Sequence, residues 1–168
     1  MQSGNFYFIN DEYFNKFEGN NLLSNKEVDK AGEHGRPCYY SFKDNDSDIM
    51  WMIPISSQIE KFEPIYNERI KKYKIYDGIK FGFVLGKKKA FLIQNMCPVT
   101  EKYITNEYID NATHKPVAIN DSLKSELNAS ARKAIRLYKQ GTKIVFANIL
   151  EIEKVLLVEL ETENEIKV

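Results

Sequence analysis

Two strand-like segments joined by a turn-forming cluster most constrain how this chain folds. The first spans residues 37–42 and the second residues 49–55, and Asp, Asn and Ser residues fill the stretch between them. Apolar runs separated by such residues are typical of a β-hairpin. Because antiparallel strands joined by a turn bring their outer ends together, we expect Arg36 and Ser56 to lie side by side.

The polar residues at this end of the predicted hairpin suit a phosphodiester. Arginine offers planar donors that match phosphate oxygens, and Ser56, Ser57 and the start of the following helix add an anion site. We assign Arg36 and Lys61 to charge stabilisation, both serines to holding the phosphate, and His34 to proton transfer. This set would let the 2′-OH of RNA attack its own 3′-phosphate without a metal ion, giving a 2′,3′-cyclic phosphate.

Each of these motifs also has a simpler interpretation. A serine pair before a helix is most often a cap, and a histidine in a loop is most often solvated. The combination of the motifs, rather than any one of them, favours a catalytic site.

Charge is unevenly distributed along a chain whose 24 basic and 24 acidic residues cancel. A net charge of zero is unusual for a nucleic-acid binder, but residues 60–102 hold ten Lys or Arg against five Asp or Glu. Residues 151–168 hold six Glu against two Lys, although such runs are often only solvated faces. We predict RNA contacts at lysines of the basic centre and at two further residues, namely Lys71, Lys72, Lys74, Lys87, Lys88, Lys89, Tyr13 and Gln58.

Periodicity and turn residues predict the remaining elements of one domain over residues 1–168, with a core over 6–140 and an acidic C-terminal extension over 142–168. Residues 101–118 are ambiguous, and the terminal segment fits a helix or a strand. The predictions are a strand over 6–9, a helix capped by Asp11, a loop over 18–35, a helix over 58–73 interrupted at Pro64, a hairpin over 79–93 turning at 86–89, a helix over 122–140 capped by Asn120 or Asp121, and a strand over 143–146.

Several classes of protein are disfavoured by what the sequence lacks. No apolar run reaches the length of a membrane helix, and the N-terminus has no secretory signal, so we expect a cytoplasmic protein without membrane contacts. Cys38 and Cys97 lack metal-binding or redox spacing, and we expect both to be reduced core residues. The carboxylates and the two histidines show no metal-ligand spacing, so no metal or other cofactor is expected.

Two sets of residues resemble known toxins. Gly35-Arg36-Pro37 before an apolar strand, with the segment 54–61, resembles the MazF/Kid endoribonucleases, in which an RP arginine and a following Ser or Thr carry the site. Segments 6–14 and 91–104 resemble the toxins of type III toxin–antitoxin systems, in the CptN-like branch of the ToxN/AbiQ family. The similarity covers most of residues 6–140 and implies an α+β fold, with a compact, bent, partly barrel-like antiparallel sheet of the MazF/Kid/CcdB kind and added helices.

The resemblance implies a metal-independent endoribonuclease toxin involved in phage defence. Its substrates would be target mRNA and its own repetitive antitoxin transcript, whose pseudoknot repeats would inhibit the toxin in a ring-like protein–RNA hetero-oligomer. ToxN-like sequences carry a lysine where this chain has Cys38, so the active-site charge must come from Arg36, Lys61 or elsewhere. The alternative is a non-catalytic partner-binding module of the same fold, like gyrase-poisoning relatives.

Overall fold

A computed structural model describes residues 1–29 and 32–166; Lys30, Ala31, Lys167 and Val168, which fall within the predicted loop and tail, lie outside it. Its antiparallel strands and its helices confirm the α+β prediction. The strands are β1 (Phe6–Ile9), β2 (Lys26–Asp29), β3 (Gly32–Gly35), β4 (Cys38–Lys43), β5 (Met50–Ser56), β6 (Lys80–Val84), β7 (Lys87–Phe91), β8 (Cys97–Val99) and β9 (Ile104–Glu107). The helices are α1 (Asp11–Lys16), α2 (Ile59–Tyr73), α3 (Asp121–Lys139) and α4 (Ile149–Ile166), with short 3-10 turns at Ile93–Asn95 and Glu101–Tyr103.

Strand β5 lies at the centre of a seven-stranded sheet, and all of its residues are buried. One of its edges pairs with β4, and the other is shared by β7, at Ser56, and by β8, at Met50. The strand order is β6-β7-β5-β4-β1-β9, with β8 beside β5. Cys38 pairs with Pro54, so the predicted hairpin is confirmed, and it brings the Arg36 end of β4 to the Ser56 end of β5.

Helices α3 and α4 complete the core. Leu127, Ala131 and Ala134 recur at helical spacing on the buried face of α3, whose predicted cap Asn120 accepts from the Leu123 N–H at 2.8 Å. Ile149, Ile152 and Leu156 of α4 are fully buried in the same cluster. The C-terminal segment, predicted as an extension beyond a core of residues 6–140, is therefore helical and contributes to that core.

The two cysteines are buried free thiols, as expected. Burial raises the pKa of Cys97 to about 12 and that of Cys38 well above its ordinary value, so both are protonated at neutral pH. They serve as small core residues of β4 and β8.

The prediction of a loop over residues 18–35 was wrong, because strands β2 and β3 lie in this range and form a two-stranded sheet of their own. Glu27 pairs with His34, and Val28 with Glu33. Val28 is the one strongly apolar residue of these two strands and it is 62% exposed, so the segment has no alternating apolar pattern. Backbone pairing and contacts of its polar side chains stabilise it instead.

Three smaller predictions also differ from the structure. Helix α2 continues through Pro64, because the Glu60 carbonyl that loses a partner belongs to an exposed turn and can bind water. Asn10, rather than Asp11, caps α1 by accepting from the Tyr13 N–H. Residues 143–146 form no strand, although Val145 is buried.

Among the described residues, no helix has both the length and the apolar character that are needed to span a lipid bilayer.

The β6–β7 turn is shorter than predicted and consists of Leu85 and Gly86 alone. Both have positive φ, 49° and 71°, which is the type I′ geometry in which Asn-Gly is favoured. Leucine is strained there, and its side chain is 48% exposed. We expect Leu85→Asn to raise the free energy of unfolding by about 1 kcal/mol in urea denaturation. Leu85→Ala, which keeps the strain, is the control; an equal gain in both variants would contradict the explanation.

Candidate functional site

A buried carboxylate lies where the sequence predicted a phosphate. The side chain of Glu27, in β2, is 3% exposed. Its Oε2 accepts hydrogen bonds from the Ser57 N–H at 3.1 Å and the Ser57 hydroxyl at 2.9 Å, and its Oε1 accepts one from the Ser56 hydroxyl. Arg36 Nη1 donates to the same Oε1 at 3.3 Å. Four donors, from the last residue of β5, the residue that follows it and Arg36 just before β4, therefore converge on one carboxylate.

The Arg36 guanidinium also binds three backbone carbonyls. Its Nε donates to Ser24 O at 3.1 Å, its Nη1 to Ile55 O at 3.1 Å and its Nη2 to Lys26 O at 3.5 Å. The Arg36 side chain is 8% exposed. In this conformation, Arg36 is a buried cation that holds β2 against β5, rather than a donor presented to solvent.

The chain turns from β5 into α2 at this cluster. Ser56 Oγ accepts from the Gln58 N–H at 3.1 Å, which caps the backbone just before α2 begins at Ile59. Gln58 occupies the N-cap position, and its Nε2 donates to Val28 O at 2.9 Å. The N–H groups at a helix start favour an anion, so the carboxylate of Glu27 lies at a favourable position.

The surroundings of Glu27 keep it ionised. Burial raises the pKa of this carboxyl, but hydrogen bonds from Ser56 and Ser57, together with the charge of Arg36, outweigh burial, and the net pKa is below its ordinary value. The same donors would stabilise a phosphate oxygen in the same way.

A groove of about 260 Å³ opens beside this cluster. Its polar lining consists of Glu27, His34, Ser57 and Lys89. Phe8 and Tyr108 also line it, and their rings meet edge to face with centroids 5.7 Å apart. The groove thus combines a cation and an imidazole with aromatic rings on which a base could stack.

His34 lies opposite Glu27 in the hairpin register and is exposed towards the groove. Its Nε2 is 3.8 Å from Glu27 Oε2, and its Nδ1 is 3.3 Å from Gly32 O. The Gly32 carbonyl oxygen and the Glu27 carboxylate oxygen both accept, so the proton on either ring nitrogen faces an acceptor. His34 thus lies in the groove beside the anion-binding cluster, and its role in proton transfer stays a prediction.

Tyr13 does not fit its predicted role in RNA binding. It is completely buried, and its hydroxyl donates to Pro98 O at 2.7 Å. Its ring packs against Phe14, Phe17 and Tyr103. With no exposed surface, Tyr13 serves the core; helical spacing alone could not separate a core aromatic from a stacking one.

The predicted cationic residues are distributed over several surfaces. Lys89 lines the groove, whereas Lys61 lies on the exposed side of α2, with its Nζ 5.4 Å from the centroid of the Phe62 ring. Lys88 points away from the groove, pairing with Glu63 across the hairpin–helix contact. The remaining predicted lysines are exposed: Lys71, Lys72 and Lys74 at the end of α2, and Lys87 at the start of β7.

Three residues of the site, Glu27, Phe8 and Tyr108, were not predicted from the sequence. Glu27 was assigned to a loop, and Phe8 to a strand without a function. A signal for the hairpin was present, because Asp29 and Gly32 stand at the first and fourth positions of a four-residue turn pattern. Pairing the residues outward from that turn places Glu27 opposite His34.

No group of three His, Cys, Asp or Glu side chains within residues 1–29 and 32–166 lies close enough together to hold a metal ion. The site described above combines the Glu27 carboxylate with hydroxyl, guanidinium, imidazole and ammonium groups.

Comparison with known proteins shows a likeness of fold to a solved structure. No protein-family model and no curated protein match the sequence. Among solved structures, the chain is similar to AbiQ, described as a lactococcal anti-phage endoribonuclease belonging to the type III toxin–antitoxin system. The TM-score is 0.65 at 15% sequence identity, and the alignment covers 95% of this chain and 99% of AbiQ. The chain therefore has the fold of AbiQ over nearly its whole length.

Proposed function

We propose that this protein is an endoribonuclease toxin of a type III toxin–antitoxin system, in the ToxN/AbiQ family. The observation that carries the proposal is the cluster of anion-binding donors, Ser56, Ser57 and Arg36, beside His34 in an open groove. The AbiQ-like fold supports the same function, because that protein is an endoribonuclease.

The reaction that fits these groups is an internal transesterification of RNA. The 2′-oxygen bonds to phosphorus and the bond from phosphorus to the 5′-oxygen breaks, leaving a 2′,3′-cyclic phosphate and a 5′-OH. His34 Nε2 takes the 2′-OH proton, and a protonated group returns one to the leaving oxygen. Ser57 donates to the phosphate, and Lys89, rather than Lys61, stabilises the developing charge, because Lys89 lies in the groove.

We propose an RNA antitoxin as the inhibitor of the toxin. Processed pseudoknot repeats would bind the toxin in a ring-like complex in the cytoplasm, and target mRNA would be the other substrate. An exposed cationic and aromatic patch at the end of α2 supports an RNA partner: Lys72 Nζ lies 5.2 Å and Arg69 Cζ 6.0 Å from the Tyr73 ring centroid. Such surfaces bind phosphates and bases together.

The test is incubation of the purified protein with single-stranded RNAs of varied sequence in EDTA. We expect cleavage products that end in 2′,3′-cyclic phosphate and 5′-OH. Failure to cleave any RNA, with or without an added divalent ion, would favour the non-catalytic partner-binding alternative. Cleavage only with a divalent ion would overturn the metal-independent mechanism.

Lys89→Ala should raise the KM for RNA about tenfold, because one phosphate contact is lost. It should also reduce the slope of log K for RNA binding against log salt concentration by about 0.7. Lys88→Ala is the matched control, since it removes the same charge from the adjacent residue of β7, whose side chain contacts Glu63 instead. Equal effects of the two substitutions would contradict a specific role for Lys89 in the groove.

A further inference from the structure

The residues predicted to hold the phosphate are all bound to one short segment of the chain itself. Arg36 binds Ser24 O, Lys26 O and the Glu27 carboxylate. Both Ser56 and Ser57 bind the same carboxylate. The next residue, Gln58, donates to Val28 O. Residues 24–28 therefore cover the anion site, and Glu27 fills it.

We propose that the carboxylate of Glu27 is an internal competitor of the RNA phosphate, so that the β2–β3 hairpin inhibits the toxin until RNA displaces this side chain. This inference rests on the proposed function, because it assumes that the covered site is the phosphate site. It adds a regulatory contact within the chain to the inhibition by an RNA partner.

The chemistry of the donors supports the competition. Two hydroxyls, a backbone N–H and a guanidinium do not distinguish a carboxylate from a phosphodiester oxygen, because both are anionic acceptors of similar hydrogen bonds. Their convergence on Glu27 shows that the site stabilises one negative charge. Carboxylate and phosphate cannot occupy it together, since they would share the same donors and repel each other.

The attachment of the hairpin to the rest of the fold supports its release. Among the described residues, β2 and β3 pair only with each other, outside the main sheet. Residues 32–35 are exposed, and a two-stranded hairpin is marginally stable by itself. Asn25 remains a fixed point, because its side chain donates to Ile9 O at 3.0 Å and Arg36 N–H donates to Asn25 O at 2.7 Å. A local adjustment of β2 beyond Asn25 that withdraws the Glu27 side chain is enough to free the site, and His34 in β3 stays beside the groove.

The extent to which Glu27 weakens RNA binding depends on the fraction of molecules in which its side chain has left the anion site. The apparent Kd for RNA equals the intrinsic Kd divided by that fraction, so a closed state that dominates by 10-fold to 100-fold weakens binding by about the same factor. Removing the negative charge of Glu27 while keeping its size should recover most of the lost affinity for RNA.

The experiment measures binding of a fluorescein-labelled 2′-O-methyl oligoribonucleotide, which has no free 2′-OH and is not cleaved, by fluorescence anisotropy. We expect Glu27→Gln to bind about 10-fold to 100-fold more tightly than the wild type. Glu33→Gln is the matched control: it removes the same charge from the same hairpin, at a side chain that is 60% exposed and pairs with Lys26. Unchanged binding by Glu27→Gln, or equal tightening by both variants, would overturn the proposal.

A measurement on the wild type keeps the proposal testable if Glu27→Gln folds poorly. The side-chain carboxyl ¹³C resonance of Glu27 is followed at pH 7 as the same oligonucleotide is added. Displacement predicts that it moves towards the resonance of the exposed Glu33. A resonance that keeps its position at saturation would show that the carboxylate stays in place, and would overturn the proposal.

These readouts do not depend on cleavage. Tighter binding by Glu27→Gln without RNA cleavage by any variant would sustain the competition and refute the enzyme. Cleavage by the wild type, with equal binding by all three proteins, would sustain the enzyme and refute the competition.

Discussion

Arg36→Met is expected to lower the free energy of unfolding by about 3 to 5 kcal/mol at pH 7, the usual cost of removing one partner of a buried ion pair. The substitution leaves the Glu27 carboxylate, whose side chain is 3% exposed, without its cation. It also removes the donors to the carbonyls of Ser24, Lys26 and Ile55. Urea denaturation, followed by the signal of the buried Trp51, measures the loss.

The loss should depend on pH. In the wild type the pKa of Glu27 is lowered. Its contribution to stability is therefore fully present above the pKa that Glu27 has in the unfolded chain, and it disappears as pH falls through the pKa of Glu27 in the folded protein. Arg36→Met removes one of the groups that lower this pKa, and the variant takes up the proton at higher pH. The stability difference should therefore shrink between about pH 7 and pH 4.

Two further variants are needed to interpret the stability loss of Arg36→Met. Arg36→Lys keeps the charge, but one ammonium cannot reach all the acceptors of the guanidinium, so its loss should lie between those of the wild type and the methionine variant. Arg136→Met, at an exposed position of α3, should change stability by less than about 0.5 kcal/mol. A loss below about 1 kcal/mol in Arg36→Met, or one independent of pH, would contradict the structural role assigned to Arg36.

The central hairpin could be predicted from the sequence because its determinants are local. Apolar runs and turn residues define β4 and β5, and antiparallel pairing then places Arg36 near Ser56 and Ser57 without further information. The geometry confirms this proximity, since Arg36 Nη1 and the Ser56 hydroxyl meet on the same oxygen of Glu27.

What the sequence could not show was the group that these residues bind. Glu27 lies about thirty residues before Ser57, and its burial results from a hairpin with no apolar pattern. The prediction that Tyr13 binds RNA was wrong for a different reason: its helical spacing fits a core position and an exposed stacking position equally well. The sequence also could not show which of Lys61 and Lys89 lies at the site, since only the tertiary arrangement places Lys89 in the groove. In each case a long-range contact decided the outcome.

His34→Ala should lower kcat for RNA cleavage by about 10²-fold to 10⁴-fold, the usual contribution of a general base, and should leave KM within about threefold. The prediction is motivated by the position of the imidazole, which lines the groove with its Nε2 3.8 Å from the carboxylate that marks the phosphate site. His34→Gln, which keeps a polar side chain but cannot take up a proton, should lose a similar factor. Single-turnover cleavage at saturating enzyme, measured from pH 5 to 9, gives the rates.

The pH profile separates proton transfer from a merely structural effect. Proton transfer by His34 should make the wild-type rate depend on pH, and this dependence should disappear in both variants. His114, the only other histidine, is exposed in the turn after Asp110 and does not line the groove. His114→Asn should therefore retain the wild-type rate and profile. A His34→Ala enzyme with more than about one tenth of the wild-type kcat, or with an unchanged pH profile, would require a different base, because a positioned general base contributes far more than that factor.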